Sequence, residues 1–110
     1  MLSVLRLGHR IFRDQRITTH CGLVARALGA RSFAYSGQHD EGVEESLRKA
    51  AEQWGGPFSA GHVEHEVAYL KEWKRAGGKI AHLTVYGLPF QRALPQLRKT
   101  KKLLVVIGGE

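Results

Sequence analysis

Short β-prone runs alternate along the chain with stretches in which apolar residues recur at helical spacing. Five runs have the composition of strands, and the last is a continuous apolar run typical of a buried parallel strand. These runs are residues 3–7, 32–36, 58–59, 80–86 and 103–107. Strands that alternate with helices of ten or more residues predict an α/β fold with a mostly parallel sheet and flanking helices.

The first helical stretch follows the first strand. Its apolar residues are Ile17, Cys21, Val24 and Leu28, whose spacing predicts the buried stripe of a helix. Gly29 is expected to end this helix. Thr18 or Thr19 is expected to cap its start. The strand before it is expected to stop at a turn over residues 8–10.

Two further helices and a fourth candidate complete the pattern. Asp40 is expected to cap the second helix, whose buried stripe is Val43, Leu47, Ala51 and Trp54. Val63, Val67, Leu70 and Trp73 mark the third helix. Phe90, Leu94 and Leu97 suggest a fourth, kinked or begun at Pro95.

Length and composition predict one domain over residues 1–110. The 110 residues are 43% apolar and 25% charged, which is ordinary for a globular protein. Cys21 is the single cysteine and is interpreted as a core residue, so an internal disulfide is excluded. His62 and His65 lack the further ligands that a zinc site needs, so no metal is expected. With neither a long apolar run nor a signal peptide in the sequence, we expect a cytoplasmic protein without a membrane segment.

Positive charge is concentrated at the start of the chain. The net charge is +7, and the first 31 residues hold six arginines against one acid, Asp14. Arginine contacts phosphate in a bidentate manner and stacks on bases, so this bias favours a nucleic-acid partner. Seven of the ten acids lie between residues 40 and 66, so the chain is electrically two-sided. A solvated face of the kind found in thermophilic proteins remains the alternative explanation.

Distinctive residues cluster where the predicted strands end. In open parallel sheets, ligands bind beyond the carboxyl ends of the strands, which here are residues 8–16, 86–89 and 108–110. The runs at and near these ends are LRLGHR at 5–10, RD at 13–14, RITTH at 16–20, WGGPF at 54–58 and HLTVYG at 82–87. In this order, the runs resemble those of the archaeal tRNA cytidine-56 2′-O-methyltransferases of the SPOUT superfamily.

The resemblance covers nearly all of the chain and implies both a fold and an activity. It implies a SPOUT-like, knotted Rossmann-like fold and places this chain in the front two-thirds of the family. The domain is therefore expected to be incomplete at its C-terminus, without the knot segment. It also implies S-adenosyl-L-methionine as cofactor, tRNA as partner, a homodimer at full length, and methyl transfer to the 2′-hydroxyl of cytidine-56 in the T-loop.

The resemblance also assigns candidate site residues. Arg26 stands at the position of the catalytic arginine, and His20, six residues earlier, replaces the family's asparagine. Leu83 stands at a cofactor-contacting position. Gly108, Gly109 and Glu110 begin a cofactor loop, with Gly109 where alanine is expected. The residues expected to contact RNA are Arg6, Arg10, Arg13 and Arg16.

Structural interpretations stand beside these assignments. Without the resemblance, Arg26 is an ordinary surface arginine, His20 is a hydrogen-bonded structural residue and Leu83 belongs to the core. A guanidinium stays protonated, so Arg26 is expected to stabilise the developing alkoxide and anchor a phosphate rather than act as a base. The alternative functions are a noncatalytic RNA-binding module, an inactive truncated remnant of the enzyme, and an inert α/β scaffold.

Overall fold

A single parallel sheet organises the molecule, seen in a computed structural model that describes residues 2–54, 58–83 and 101–108. Its strands are β1 Leu2–His9, β2 Ser32–Gly37, β3 Ser59–His62, β4 Lys79–His82 and β5 Leu103–Gly108. They lie in the order β3-β2-β1-β5-β4, and every pairing between them is parallel. The mostly parallel α/β fold predicted from the alternating pattern is confirmed.

The central strand β1 runs further than its sequence indicates. The expected turn at residues 8–10 begins later, because the strand continues through His9, which pairs with Gly37 of β2. Gly8 adopts a positive φ of 75°, and the register with β2 shifts between Arg6 and His9. Glycine tolerates this conformation, so the strand bends without ending.

Within the described residues, three helices cover the two faces of the sheet: α1 Gln15–Ala27, α2 Glu41–Trp54 and α3 Glu66–Arg75. On one face Val4 and Phe33 pack with Val43 and Leu47 of α2 and with Ala25 of α1. On the other face α3 contributes Leu70 and Trp73, which pack against a buried cluster of Leu5, Ala34, Leu104 and Val106. Alternate residues of β1 therefore enter different cores, as the two-residue period of a strand requires.

The predicted capping of α2 is confirmed. The Asp40 carboxylate accepts a hydrogen bond from the backbone N–H of Gly42 at 3.0 Å. Val43 and Leu47 are fully buried, as the apolar stripe of this helix predicts. On α3 the stripe is confirmed at Leu70 and Trp73, whereas Val67 is exposed.

The predicted orientation of α1 is wrong. Ile17 and Leu28 of the expected core stripe are 58% and 75% exposed, and Val24 is exposed with them. The buried residues of this helix are small: Thr18, Gly22 and Ala25. A Cβ atom at Gly22 would lie 2.7 Å from the Leu47 methyl groups, so glycine allows α2 to pack closely. Small residues set the packing face here, and hydrophobic periodicity does not detect them.

The start of α1 also differs from the prediction. The helix begins at Gln15 after Asp14, without a side-chain cap, and Thr18 is buried inside its first turn. Cys21 is half-buried against the core, as interpreted from the sequence, and burial raises the pKa of its thiol. The third strand begins at Ser59 rather than Phe58. The rest of the predicted fourth strand, and the helix suggested by Phe90, lie outside the described residues.

Within the described part of the chain, none of the helices combines the length and apolar character needed to cross a membrane. No cluster of three potential metal-binding side chains occurs among the same residues.

Candidate functional site

All five described strands bring their carboxyl ends to one edge of the sheet, which we call the carboxyl edge. In spatial order these ends are His62 of β3, Gly37 of β2, His9 of β1, Gly108 of β5 and His82 of β4. The loop between β1 and α1 leaves the sheet at the same edge. Ligands of open parallel sheets bind at such an edge, which makes it the candidate site.

The predicted cofactor residues Leu83 and Gly108 are brought together on neighbouring strands. The Leu83 N–H donates to the carbonyl oxygen of Val106 at 2.9 Å, and the Leu83 side chain is 51% exposed. His82 Nε2 lies 3.3 Å from the carbonyl oxygen of Gly108. Leu83 is therefore an exposed apolar side chain at the carboxyl edge and not a core residue. Gly109 and Glu110 lie outside the described residues.

Gly108 keeps the end of β5 open. Its φ is +88°, and a Cβ atom there would come within 3.0 Å of the Leu7 carbonyl oxygen. A side chain at this position would therefore be both strained and crowded. The glycine leaves the backbone accessible to a bound molecule.

The β1–α1 loop, residues 10–14, forms a closed turn around Asp14. The Asp14 carboxylate accepts hydrogen bonds from the backbone N–H of Arg10 at 3.1 Å and from its Nε at 2.9 Å. The Asp14 N–H donates back to the Arg10 carbonyl oxygen at 2.9 Å. The Arg10 guanidinium holds the pKa of Asp14 below its usual range, so this acid stays ionised. Asp14 is buried, whereas the Arg10 side chain is half exposed.

The four arginines expected to contact RNA lie near the carboxyl edge in two environments. Arg10, Arg13 and Arg16 are exposed on the loop and the first turn of α1. Arg6 is half-buried on β1, where its Nη1 donates to the Leu7 carbonyl oxygen at 3.0 Å. Arg6 Cγ is also 4.0 Å from where a Gly108 Cβ would lie. Arg6 thus lies beside the end of β5.

A buried hydrogen-bond network supports this loop from beneath, and the sequence did not reveal it. His9 is 1% exposed, with its Nδ1 2.6 Å from Thr18 Oγ1 and its Nε2 2.9 Å from Asp40 Oδ2. A neutral imidazole satisfies both contacts: its Nδ1 accepts a hydrogen bond from the Thr18 hydroxyl, and its Nε2–H donates one to Asp40. The hydrogen bond from His9 lowers the pKa of Asp40. The network ties the starts of α1 and α2 to the end of β1.

Tyr35 extends the network into β2. Its hydroxyl accepts from the Asp40 N–H at 2.9 Å and lies 2.8 Å from Glu44 Oε2. Burial raises the pKa of this phenol, so it remains a neutral donor. The signal that could have found the network is His9 itself, a histidine two residues beyond the predicted first strand, where a turn is expected.

The two residues proposed for catalysis lie along α1. His20 is exposed and lines a shallow groove between α1 and α2 with Arg16, Thr19 and Ser46. Arg26 is half-buried in the last turn of α1. Just beyond it the chain returns to the amino ends of the strands, where the Arg31 N–H donates to the Leu2 carbonyl oxygen at 2.8 Å.

Arg26 and the carboxyl edge therefore lie at opposite ends of α1. A helix rises 1.5 Å per residue, so Arg26 is about 15 Å along the axis from Arg16. Within one chain, Leu83, Gly108 and the β1–α1 loop all lie at the carboxyl edge, whereas Arg26 does not.

The chain is similar to known proteins both in sequence and in fold. The family model described as tRNA ribose 2′-O-methyltransferase, aTrm56, matches residues 54–110. A Methanopyrus kandleri protein named tRNA (cytidine(56)-2′-O)-methyltransferase is 50% identical over 106 residues, which are 96% of this chain and 60% of that protein. A Thermococcus kodakarensis protein of the same name is 45% identical, over 100% of this chain and 63% of its own length. The chain spans about three fifths of the length of these relatives.

Two solved structures share the fold. The A. aeolicus TrmH/SpoU tRNA modifying enzyme superposes with a TM-score of 0.66 at 18% identity, over 99% of this chain and 52% of that one. An rRNA methyltransferase from Sinorhizobium meliloti gives a TM-score of 0.61 at 17% identity, over 98% and 39%. These likenesses confirm the SPOUT-like fold class. The family model covers more than half of the sequence, and the chain belongs to the tRNA ribose 2′-O-methyltransferase, aTrm56, family.

Proposed function

We propose that the whole protein transfers a methyl group from S-adenosyl-L-methionine to the 2′-hydroxyl of cytidine-56 in the T-loop of tRNA. One observation carries the proposal beyond family membership. The β1–α1 loop, which holds Arg10 and Arg13, lies at the carboxyl edge together with Leu83 and Gly108. These three features lie at the ends of the adjacent strands β1, β4 and β5. An anionic substrate and a small cofactor would therefore meet at one place. A cytoplasmic location, where tRNA is processed, belongs to the same proposal.

Leu83 and Gly108 fit the proposed cofactor. The cofactor supplies a methyl group made electrophilic by its sulfonium. Leu83 offers exposed apolar surface to it, and Gly108 offers exposed backbone that carries no side chain of its own. Gly109 and Glu110 are proposed to continue this loop on the basis of the family resemblance.

Arginines supply the proposed contacts to tRNA. Arg10, Arg13 and Arg16 are exposed and are proposed to bind phosphates, which fixes the position of the RNA. Arg6 is half-buried beside Gly108 and is proposed to contact the nucleotide nearest the cofactor.

Arg26 and His20 are proposed to serve the reacting ribose. As methyl transfer proceeds, the 2′-hydroxyl loses its proton and negative charge develops on the oxygen. A guanidinium stays protonated, so Arg26 is proposed to stabilise that charge and to anchor a phosphate. His20 is exposed on the same helix and is proposed to orient the ribose or a phosphate.

We further propose that the whole protein is a homodimer. The exposed face of α1 carries Ile17, Val24 and Leu28, an apolar stripe unusual for a free helix surface. The distance from Arg26 to the carboxyl edge of its own chain supports the same idea. In a dimer built on α1, Arg26 of one protomer would act at the site of its partner.

Sedimentation equilibrium tests the dimer. Val24→Glu should convert the dimer to a monomer, because it places a charge in the middle of the apolar stripe. Val67→Glu changes an exposed valine of α3 and should leave the dimer intact. A monomeric wild-type protein would contradict the proposal.

A methyl-transfer assay with paired substrates tests the proposed function. Labelled S-adenosylmethionine and unmodified tRNA should give labelled tRNA, whereas tRNA with 2′-deoxycytidine at position 56 should give none. The two substrates differ by the single oxygen that the reaction requires. Tight tRNA binding without transfer would instead identify the noncatalytic RNA-binding module.

A further inference from the structure

Phe12, at the tip of the β1–α1 loop, is both strained and exposed. Its side chain is 94% exposed. Its φ of 70° is the only positive value at a non-glycine position among the described residues. A bulky side chain rarely adopts this left-handed conformation, because it costs energy. Packing does not explain the residue, since the ring contacts little of its own chain.

Hydrogen bonds hold the loop in this conformation. Besides the closed turn between Arg10 and Asp14, the Ile11 N–H donates to Gln38 Oε1 at 2.8 Å. The Gln38 N–H in turn donates to the His9 carbonyl oxygen at 2.9 Å. The ring is therefore presented on an ordered support, and binding to it would cost little conformational entropy.

The surroundings of the ring are cationic. Arg10, Arg13 and Arg16 flank Phe12 in sequence, and Asp14, the acid among them, is buried and paired with Arg10. A partner for this surface needs a flat apolar face and negative charge together. An unpaired nucleobase with its phosphates has both properties. A second copy of the chain would instead bring like charges together at this loop.

We propose that Phe12 is a stacking platform for an unpaired nucleobase of the RNA substrate. The proposal rests on the proposed function and assigns a base contact to it. The loop follows β1 at the carboxyl edge, beside the end of β5. The stacked base would therefore belong to the target nucleotide or one near it in the T-loop.

Four variants of the whole protein test the proposal by their affinity for unmodified tRNA. Phe12→Ala and Phe12→Leu should weaken binding roughly 5- to 150-fold, the range of one base–aromatic stack, because neither offers a π face. Phe12→Trp should retain wild-type affinity. Val67→Ala removes an exposed apolar side chain from α3 and should bind tRNA with wild-type affinity.

Phe12→Gly separates binding from stability. Glycine adopts a positive φ without strain, so the melting temperature should stay unchanged or rise by up to about 5 °C. The affinity for tRNA should fall as it does in Phe12→Ala. A purely structural role predicts that stability and affinity fall together, and that result would overturn the proposal.

Two further outcomes count against it. If wild-type protein methylates cytidine-56 and Phe12→Ala binds tRNA within twofold of wild type, the stacking proposal fails while the proposed function stands. If wild-type protein neither binds nor methylates tRNA, the proposed function fails and the stacking proposal fails with it.

Discussion

Replacing Arg26 with alanine in the whole protein is expected to lower the single-turnover rate of methyl transfer at least ~100-fold. This is the scale for losing one preorganised donor that stabilises charge in a transition state. The substituted side chain is half-buried in the last turn of α1, outside the buried clusters of the sheet. The fold should therefore survive the substitution.

Two variants control for indirect effects. Arg26→Lys keeps the charge but loses the planar fork, so its rate should lie between those of wild type and Arg26→Ala. Arg75→Ala removes an exposed arginine of α3 and should leave the rate unchanged. An unchanged rate in Arg26→Ala, with circular dichroism confirming the fold, would show that the arginine is an ordinary surface residue.

Binding of tRNA is expected to depend steeply on salt. Each neutralised phosphate contributes a slope of about 0.7 to 0.9 to the logarithmic salt dependence. Three or four arginine contacts then predict that affinity falls roughly 20- to 150-fold between about 50 and 200 mM salt. Filter binding over a salt series measures this slope.

The exposed arginines of the β1–α1 loop and of the first turn of α1 should account for most of this salt dependence. Replacing Arg10, Arg13 and Arg16 together with glutamine should reduce the slope by about two to three, one unit or less per contact. Arg75→Gln, which removes the same charge from α3, should not change it. A salt-independent affinity, or a slope that survives the triple substitution, would contradict the assignment of this surface.

The fold could be predicted well where long apolar runs or clear caps are present. Residues 103–107 read as a central parallel strand, and β5 lies next to β1 in the sheet. Asp40 is predicted to cap α2, and its carboxylate accepts a hydrogen bond from the Gly42 N–H. These features depend on local sequence, so neighbouring residues suffice to predict them.

Contacts between distant residues could not be predicted in the same way. The face of α1 was misassigned because Gly22 and Ala25, rather than the large apolar residues, meet the rest of the core. The His9 network joins residues 9, 18, 35 and 40, which come together only after the sheet has formed. Sequence alone assigns its members separately, as a turn residue, two candidate helix caps and a strand residue.

The candidate site was predicted in part. The resemblance placed Leu83 and Gly108 at strand ends, and the structure brings them together on β4 and β5. It could not show that Arg26 lies at the other end of α1, because motif spacing gives no direction in space. Phe12 lies between two of the matching runs, and only its exposure and backbone conformation in the structure distinguish it.

The position of the methyl group on the product distinguishes ribose methylation at cytidine-56 from every other methyl transfer. After reaction with S-adenosylmethionine, the tRNA is digested and the mass of each fragment is measured by mass spectrometry. We expect one added methyl, on the ribose of cytidine-56, with the following phosphodiester resistant to alkali because the 2′-hydroxyl is blocked. A methyl group on a base, or on the ribose of another nucleotide, would contradict the proposed function.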